Sequence, residues 1–185
     1  MAGTLKASIE AEGMIPNHWA RWCTRKLKII PYREWVMEHG LMRHVISYVG
    51  LRADEEGRAG GAYEDIPGVE SRYPLREWGW GEPEVQDKLR RAGVVVPDRT
   101  DCAWCFYQRL GEWYELWLYH NDLYLEGMAI EEATGQTFRS PGRDSWPVSM
   151  REMAERFAAG DIPERSLNRM ARERQEIGSC RVCTL

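Results

Sequence analysis

The sequence lacks any long run of apolar residues. Nowhere in its 185 residues is there a stretch that approaches the roughly 20 apolar residues a membrane-spanning helix requires. The first residues, MAGTLKASIEAEGM, carry charges throughout and contain no apolar core of a signal peptide. We therefore expect a cytoplasmic protein with no membrane partner.

Lysine is scarce as well. It occurs at only four positions, and arginine supplies the rest of the 25 basic residues. The 29 acidic residues give a formal net charge of −4, which does not favour a general nucleic-acid binder. A coding bias of the source genome is one explanation for the arginine excess. The alternative is that some of these arginines bind planar or tetrahedral anions through their forked donors.

Cysteine is present five times, and an odd number in a cytosolic chain argues against a disulfide framework. Four of the cysteines form two Cys-x-x-Cys pairs, Cys102 with Cys105 and Cys180 with Cys183. This spacing lets two thiolates bind one metal from a single turn, and it suits zinc or an iron–sulfur cluster. Unrelated buried thiols are the alternative.

Helical patterns predominate along the chain, and the segment HVISYVGL (44–51) is the best strand candidate. Asn17 is predicted to cap a helix that starts with HWARWC. The glycine-rich segment from Arg52 to Pro74 is predicted to be a long surface loop. The sequence therefore predicts one mostly helical domain over 1–185 with very little sheet.

Three segments together resemble the phosphoadenosine phosphosulfate (PAPS) reductase-like family. The segment WCTRKLK (22–28) is similar to the family's cysteine followed by a basic cluster and a proline. The segment YVGLRADE (48–55), with Arg58 after it, resembles the exit of a family strand. The run YPLREW (73–78), followed by the Cys102–Cys105 pair, resembles a third family motif in the same order.

The resemblance implies a truncated, mostly helical α/β domain of Rossmann-like type with a small residual sheet. It also implies that Cys23, Cys102 and Cys105 bind a 4Fe–4S cluster, with zinc as the alternative metal. We expect Cys183 to be the fourth ligand. Family members that reduce sulfonucleotides carry a catalytic cysteine on a mobile C-terminal tail, and by that resemblance Cys180 is the candidate nucleophile, on a tail expected at 177–185. The opposite assignment of the two tail cysteines remains open.

The family's nucleotide-binding turn, S-G-G-x-D-S, is absent from this sequence, and no Walker A or G-x-G-x-x-G motif replaces it. The backbone amides that such a turn offers to a phosphate are therefore missing from the sequence. We expect a partner chain to carry that half and to bind adenylyl sulfate or ATP. Nucleic acid, as a substrate of sulfur modification, is a further partner that the resemblance leaves open.

Several basic residues are candidates for anion contact. By the resemblance these are Lys28 in the basic cluster, and Arg52 and Arg58 beside the strand exit; a solvated helix face is the alternative for Lys28. Arg139, Arg143 and Asp144 either close over an anion or form caps and surface ion pairs. The spacing also places Arg165, Arg169 and Arg172 on one face of a C-terminal helix.

The leading hypothesis is an iron–sulfur protein of sulfur metabolism or sulfur transfer. If it is an enzyme, it is a sulfonucleotide reductase or sulfurtransferase-like subunit. The alternative, from a different class, is a non-catalytic interaction domain stabilised by zinc.

Overall fold

A computed structural model of the chain describes residues 3–40, 44–58, 66–95 and 102–176. The chain divides into two compact units. The helical unit comprises Ala2–Thr24 and Asp101–Glu173, and the sheet unit comprises Arg25–Thr100 and Arg174–Leu185 together with Met1. In its described parts the chain is mostly helical and contains one small parallel sheet.

Most of the helical unit consists of helices joined by short connections. Their bounds are α1 (Leu5–Glu12), α2 (Trp22–Thr24), α6 (Leu110–Tyr119), α7 (Asn121–Thr134), α8 (Met150–Ala158) and α9 (Glu164–Glu176). Gly13 and Gly135 end α1 and α7 in the left-handed conformation, at φ 63° and 64°, as the glycines in the sequence predict. Ser149 caps α8 by accepting a hydrogen bond from the Glu152 amide at 3.1 Å.

The core of the helical unit is built from aromatic and methionine side chains. Trp113, Tyr124, Phe138, Met150 and Met153 are each fully buried in one cluster. The Tyr124 hydroxyl donates to the carbonyl oxygen of Met150 at 2.6 Å, so its polar group is paired inside the core. This cluster fixes the segments that carry the candidate site residues.

The sheet unit begins with a π-helical segment, Arg25–Ile29, before α3 (Ile30–Gly40). Strands β1 (Val45–Tyr48) and β2 (Val69–Arg72) are parallel, with Val45 opposite Val69. Two short helices follow, α4 (Pro74–Glu77) and α5 (Glu82–Arg91). Strand β1 confirms the predicted strand.

Two expectations from the sequence are wrong. The segment from Arg52 to Pro74 is not all loop, because β2 lies within it and pairs with β1 through the backbone. Its residues, Val-Glu-Ser-Arg, carry a weak strand signal, so the pairing depends on β1. The helix expected directly after Asn17 begins only at Trp22. The Asn17 side chain accepts hydrogen bonds from the amides of Trp19 and Ala20, both at 2.9 Å, and these bonds hold a turn in place of the helix start.

The sheet unit has few buried apolar residues. Among the described residues, only Val36, Leu51 and Ile66 of this unit are buried hydrophobics, whereas the helical unit has fifteen. Large apolar side chains are exposed on it instead, including Ile46 at 42% and Tyr48 at 69%.

Among the helices of the described ranges, none is both long and apolar enough to cross a bilayer.

Candidate functional site

The Cys102–Cys105 pair lies in a tight turn of the helical unit. The Cys105 amide donates to the Cys102 carbonyl oxygen at 3.1 Å, and the Gln108 amide donates to the Cys105 carbonyl oxygen at 2.9 Å. The Gln108 side chain donates to the Cys102 carbonyl oxygen at 3.0 Å. Trp104 is buried and donates from Nε1 to the Leu123 carbonyl oxygen at 2.8 Å. Two successive turns are thus anchored to the core, with Cys102 exposed and Cys105 buried.

The segment that carries Cys23 packs against this turn. Arg21 donates from Nη1 to the Tyr107 hydroxyl at 3.2 Å, and the ring of His18 meets the ring of Tyr107 edge to face at 5.8 Å. Cys23 itself is half-buried in α2. The three cysteines that the family resemblance groups together therefore belong to one unit, on segments that contact each other.

The donor set fits a thiolate-bound metal in type. One turn offers Cys102 and Cys105 at chelating spacing, and the Cys23 segment contacts the same turn. Within 3–40, 44–58, 66–95 and 102–176, however, no three His, Cys, Asp or Glu side chains are grouped closely enough to hold a metal ion. The expected nucleophile Cys180 and fourth ligand Cys183, with the tail 177–185, lie outside the described residues.

The three basic residues expected to contact an anion all lie in the sheet unit. Lys28 is exposed on the π-helical segment. Arg58 pairs with Glu55 at 2.5 Å. Arg52 donates from Nε to Asp54 at 2.9 Å and lies 3.2 Å from the Glu82 carboxylate. The three cysteines belong to the helical unit instead.

The ion pairs of Arg52 hold the loop that follows β1. Burial by itself lowers the pKa of Arg52, but the hydrogen bond to Asp54 and the charges of Glu55 and Glu82 raise it above its ordinary value. Asp54 also accepts a hydrogen bond from the Glu82 amide at 2.9 Å, at the first turn of α5. Arg52 and Arg58 are therefore paired with carboxylates of this loop and of α5.

A pocket of about 850 Å³ lies in the helical unit between the start of α6, the loop 139–146 and the start of α9. Its wall contains five arginines: Arg109, Arg139, Arg143, Arg165 and Arg169. The carboxylates in the wall are Asp144 and Glu164, so the wall carries an excess of three positive charges in a chain whose net charge is −4.

Arg139 is the buried arginine of this pocket wall. It is only 2% exposed, and it donates from Nη1 to the carbonyl oxygens of Trp146 at 3.1 Å and Pro147 at 2.9 Å. Its Nη2 pairs with Asp144. Burial raises the pKa of Asp144, but the amide of Trp146 and the guanidinium of Arg139 outweigh burial and lower it. Asp144 is therefore ionised and committed to Arg139.

Arg143 is held by the segment that follows the cysteine turn. Its Nη1 donates to the carbonyl oxygens of Phe106 and Gln108, both at 3.1 Å. Burial lowers the pKa of Arg143, and the charges of Arg139 and Arg169 lower it further, whereas those of Asp144 and Glu112 act in the opposite direction. The net effect is a lowered pKa, so the cationic neighbours and burial outweigh the two carboxylates.

The sequence places Arg139, Arg143 and Asp144 in one loop and Arg165 and Arg169 on one helix face. It gives no signal for Arg109 or for the convergence of the five arginines, because packing of α9 against α6 brings these segments together. In the aromatic run that follows Arg109, Trp113 packs in the core and is fully buried.

Comparison of the chain with protein-family models, with curated proteins and with solved structures gave no match.

Proposed function

We propose that this chain is an iron–sulfur protein of PAPS reductase-like type that acts in sulfur metabolism or sulfur transfer. Cys23, Cys102 and Cys105 hold the 4Fe–4S cluster, Cys183 completes it, and Cys180 serves as the nucleophile. When bound, the cluster supplies electron transfer or electrostatic stabilisation at the site. The observation that carries the proposal is the packing of the Cys23 segment against the Cys102–Cys105 turn through Tyr107.

The local architecture supports thiolate chemistry at this turn. Cys105 is buried and Cys102 is exposed, so the turn has one thiol facing the protein and one facing outward. Arg21 adds a cation near the turn through its bond to Tyr107, and a thiolate-bound cluster carries negative charge that such a cation offsets.

The sheet unit supports the dependence on a partner chain that binds adenylyl sulfate or ATP. Parallel sheets are normally covered on both faces, and two strands alone are marginal. Here β1 and β2 alternate half-buried and exposed residues, and Ile46 and Tyr48 are on the exposed side. The proposal takes these strands as the remainder of a larger Rossmann-like sheet that the partner completes.

Anaerobic purification followed by iron, sulfide and zinc analysis tests the metal assignment. We expect a brown protein that contains iron and acid-labile sulfide. Cys105→Ser should lose most of the iron, since it removes a ligand, and Cys23→Ser should do the same. Cys180→Ser is the matched control, because it changes a thiol that the proposal does not place on the metal, and it should keep the iron.

Two outcomes would contradict the assignment. If Cys23→Ser keeps all its metal while Cys180→Ser and Cys183→Ser both lose it, the two Cys-x-x-Cys pairs form the site without Cys23. If neither the purified nor the reconstituted wild-type protein binds any metal, the cysteines have no metal-binding role.

A zinc-stabilised, non-catalytic interaction domain is the second candidate. The anchored Cys102–Cys105 turn favours it, since such a turn by itself provides half of a tetrahedral zinc site. A colourless protein with stoichiometric zinc and no sulfide would establish this candidate in place of the first.

A further inference from the structure

The arginine pocket of the helical unit contains more positive charge than its own carboxylates neutralise. Asp144 is committed to Arg139. Among the described residues, no carboxylate lies within ion-pair distance of Arg143, Arg165 or Arg169. Guanidinium groups that share one space repel each other, and an anion bound between them removes that repulsion. Beside the structural Arg139–Asp144 pair, the arrangement therefore favours the binding of an anion.

The cations approach from three directions. Arg139 and Arg143 come from the loop 139–146, and Arg109 precedes the first turn of α6. Arg165 and Arg169 are four residues apart on α9, which places them on the same face of the helix. Exposed arginines such as Arg165 and Arg169 suit tetrahedral oxyanions, because a free guanidinium offers two parallel N–H groups to two oxygens.

We infer that this pocket binds a small molecule that carries a diphosphate or an equivalent pair of linked tetrahedral oxyanions. This inference does not depend on a metal at the cysteines. A terminal diphosphate has about three negative charges near neutral pH: about −1.5 to −2 on its terminal phosphoryl group and about −1 on the inner one. That negative charge complements the arginine-rich pocket wall, and Arg165 and Arg169 are its exposed cations on α9.

The size of the pocket indicates a ligand larger than a single phosphate. About 850 Å³ lies in the range of pockets for nucleotide-sized or drug-sized molecules. The wall also contains Ile162 and Pro163, which offer apolar contact to an organic group attached to the diphosphate. Ile162 is 49% exposed and is available for such a contact.

A single-stranded nucleic acid fits the pocket less well. Such ligands are normally bound by stacking their bases on aromatic rings. Among the residues in the pocket wall, Trp146 is the only aromatic, and its ring is covered by the Arg156 guanidinium at 3.9 Å and by Phe157 at 5.6 Å. The wall thus has charge for phosphates and no open ring for a base.

Isothermal titration calorimetry with inorganic pyrophosphate and with adenosine diphosphate, each without divalent cations, tests the inference. Both ligands should bind with one-to-one stoichiometry, more tightly than orthophosphate, and the affinity should fall as salt is added. Equal affinity for the two ligands assigns recognition to the diphosphate alone. Tighter binding of the nucleotide assigns an additional contact to its organic part.

Arg169→Gln should weaken pyrophosphate binding about tenfold, since it removes one charge-assisted donor pair. Arg165→Gln should act similarly. Both residues are exposed on α9, so these variants should fold even if Arg143→Gln, which loses two carbonyl contacts, does not. Arg151→Gln is the matched control: it removes the same charge from an exposed ion pair with Glu132, outside the pocket wall.

The inference fails if neither diphosphate binds or if orthophosphate binds as tightly as pyrophosphate. It also fails if Arg151→Gln weakens binding as much as Arg169→Gln does, because binding would then depend on general charge. Tighter, pocket-dependent binding of a single-stranded oligonucleotide would assign the site to nucleic acid instead. None of these outcomes depends on iron content, so they are separate from the metal assignment.

Discussion

Glu131 is a buried carboxylate that joins two segments of the helical unit. It lies in α7, is 7% exposed, and accepts hydrogen bonds from the amides of Phe138 at 2.9 Å and Met150 at 2.7 Å. Burial raises the pKa of Glu131 to about 7, although both amide bonds favour the ionised form. The side chain therefore titrates in the folded protein near neutral pH.

This raised pKa predicts that the protein is more stable at pH 5 than at pH 8. Below about pH 4.5 the carboxyl is protonated in both states, and between about 4.5 and 7 the unfolded state ionises first. The contribution of Glu131 to stability is therefore present at low pH and is lost as the pH rises through about 7. We expect a loss of about 2–3 kcal/mol over this window in urea denaturation.

Glu131→Gln should flatten this pH dependence, since the amide cannot ionise. Glu132→Gln is the control, because Glu132 is an exposed neighbour on the same helix. The carboxylates whose pKa is lowered, such as Asp54 and Asp144, lose their contribution below about pH 4, outside this window. An unchanged slope between pH 5 and 8 in Glu131→Gln would contradict the assignment.

Single residues were only partly predictable from the sequence. The Cys-x-x-Cys spacing indicated a turn, and the turn is present with Gln108 bonded to its carbonyl oxygens. The burial of Glu131 and Arg139 left no local signal, because each is a charged residue whose partners come from other segments. Charges of this kind are placed by tertiary packing, which the local sequence does not encode.

At the scale of elements, the start of α9 approaches α6 closely at Gly111. The Gly111 amide donates to the Ser166 hydroxyl at 2.9 Å. A Cβ at this position would lie 2.6 Å from the sulfur of Met170 and 3.1 Å from the Ser166 oxygen. The absence of a side chain thus permits the packing that brings Arg165 and Arg169 to the same pocket as Arg109.

Gly111→Ala should therefore destabilise the protein in spite of the better helix propensity of alanine. Propensity favours alanine by about 1 kcal/mol, whereas overpacking costs about 1–3 kcal/mol, and Met170 must also move. We expect a net loss of about 1 kcal/mol in chemical denaturation, together with weaker pyrophosphate binding. Gly57→Ala is the control, because a Cβ there meets nothing within 4 Å; equal stability of the two variants would contradict the close approach.

Helix ends lie where the sequence has a capping residue. The glycines after α1 and α7 and the serine before α8 mark those ends in the sequence as they do in the structure. Strand β2 had no such signal, since Val69 is the one strongly strand-favouring residue in it. Its position depends on backbone pairing with β1, which is a long-range contact.

At the scale of the whole molecule, the two units differ in how far each completes its own core. The helical unit buries an extensive aromatic cluster. The described part of the sheet unit exposes Trp35, Met37, Ile46, Tyr48 and Trp78 instead. The sequence predicted the helical majority and the small sheet, but its composition averages over both units and conceals this difference. The proposed partner chain would cover the exposed apolar side chains of the sheet unit.

Exposed apolar surface of this kind predicts that the chain self-associates when it is produced without a partner. Ile46→Lys should shift the protein toward the monomer in sedimentation velocity at micromolar concentration, because it places a charge on the exposed side of β1. Trp19→Lys is the matched control, since Trp19 is 93% exposed but lies in the helical unit, and it should leave the association unchanged. A wild-type protein that remains monomeric, or a Trp19 variant that dissociates as fully as the Ile46 variant, would remove the argument for a partner at the sheet.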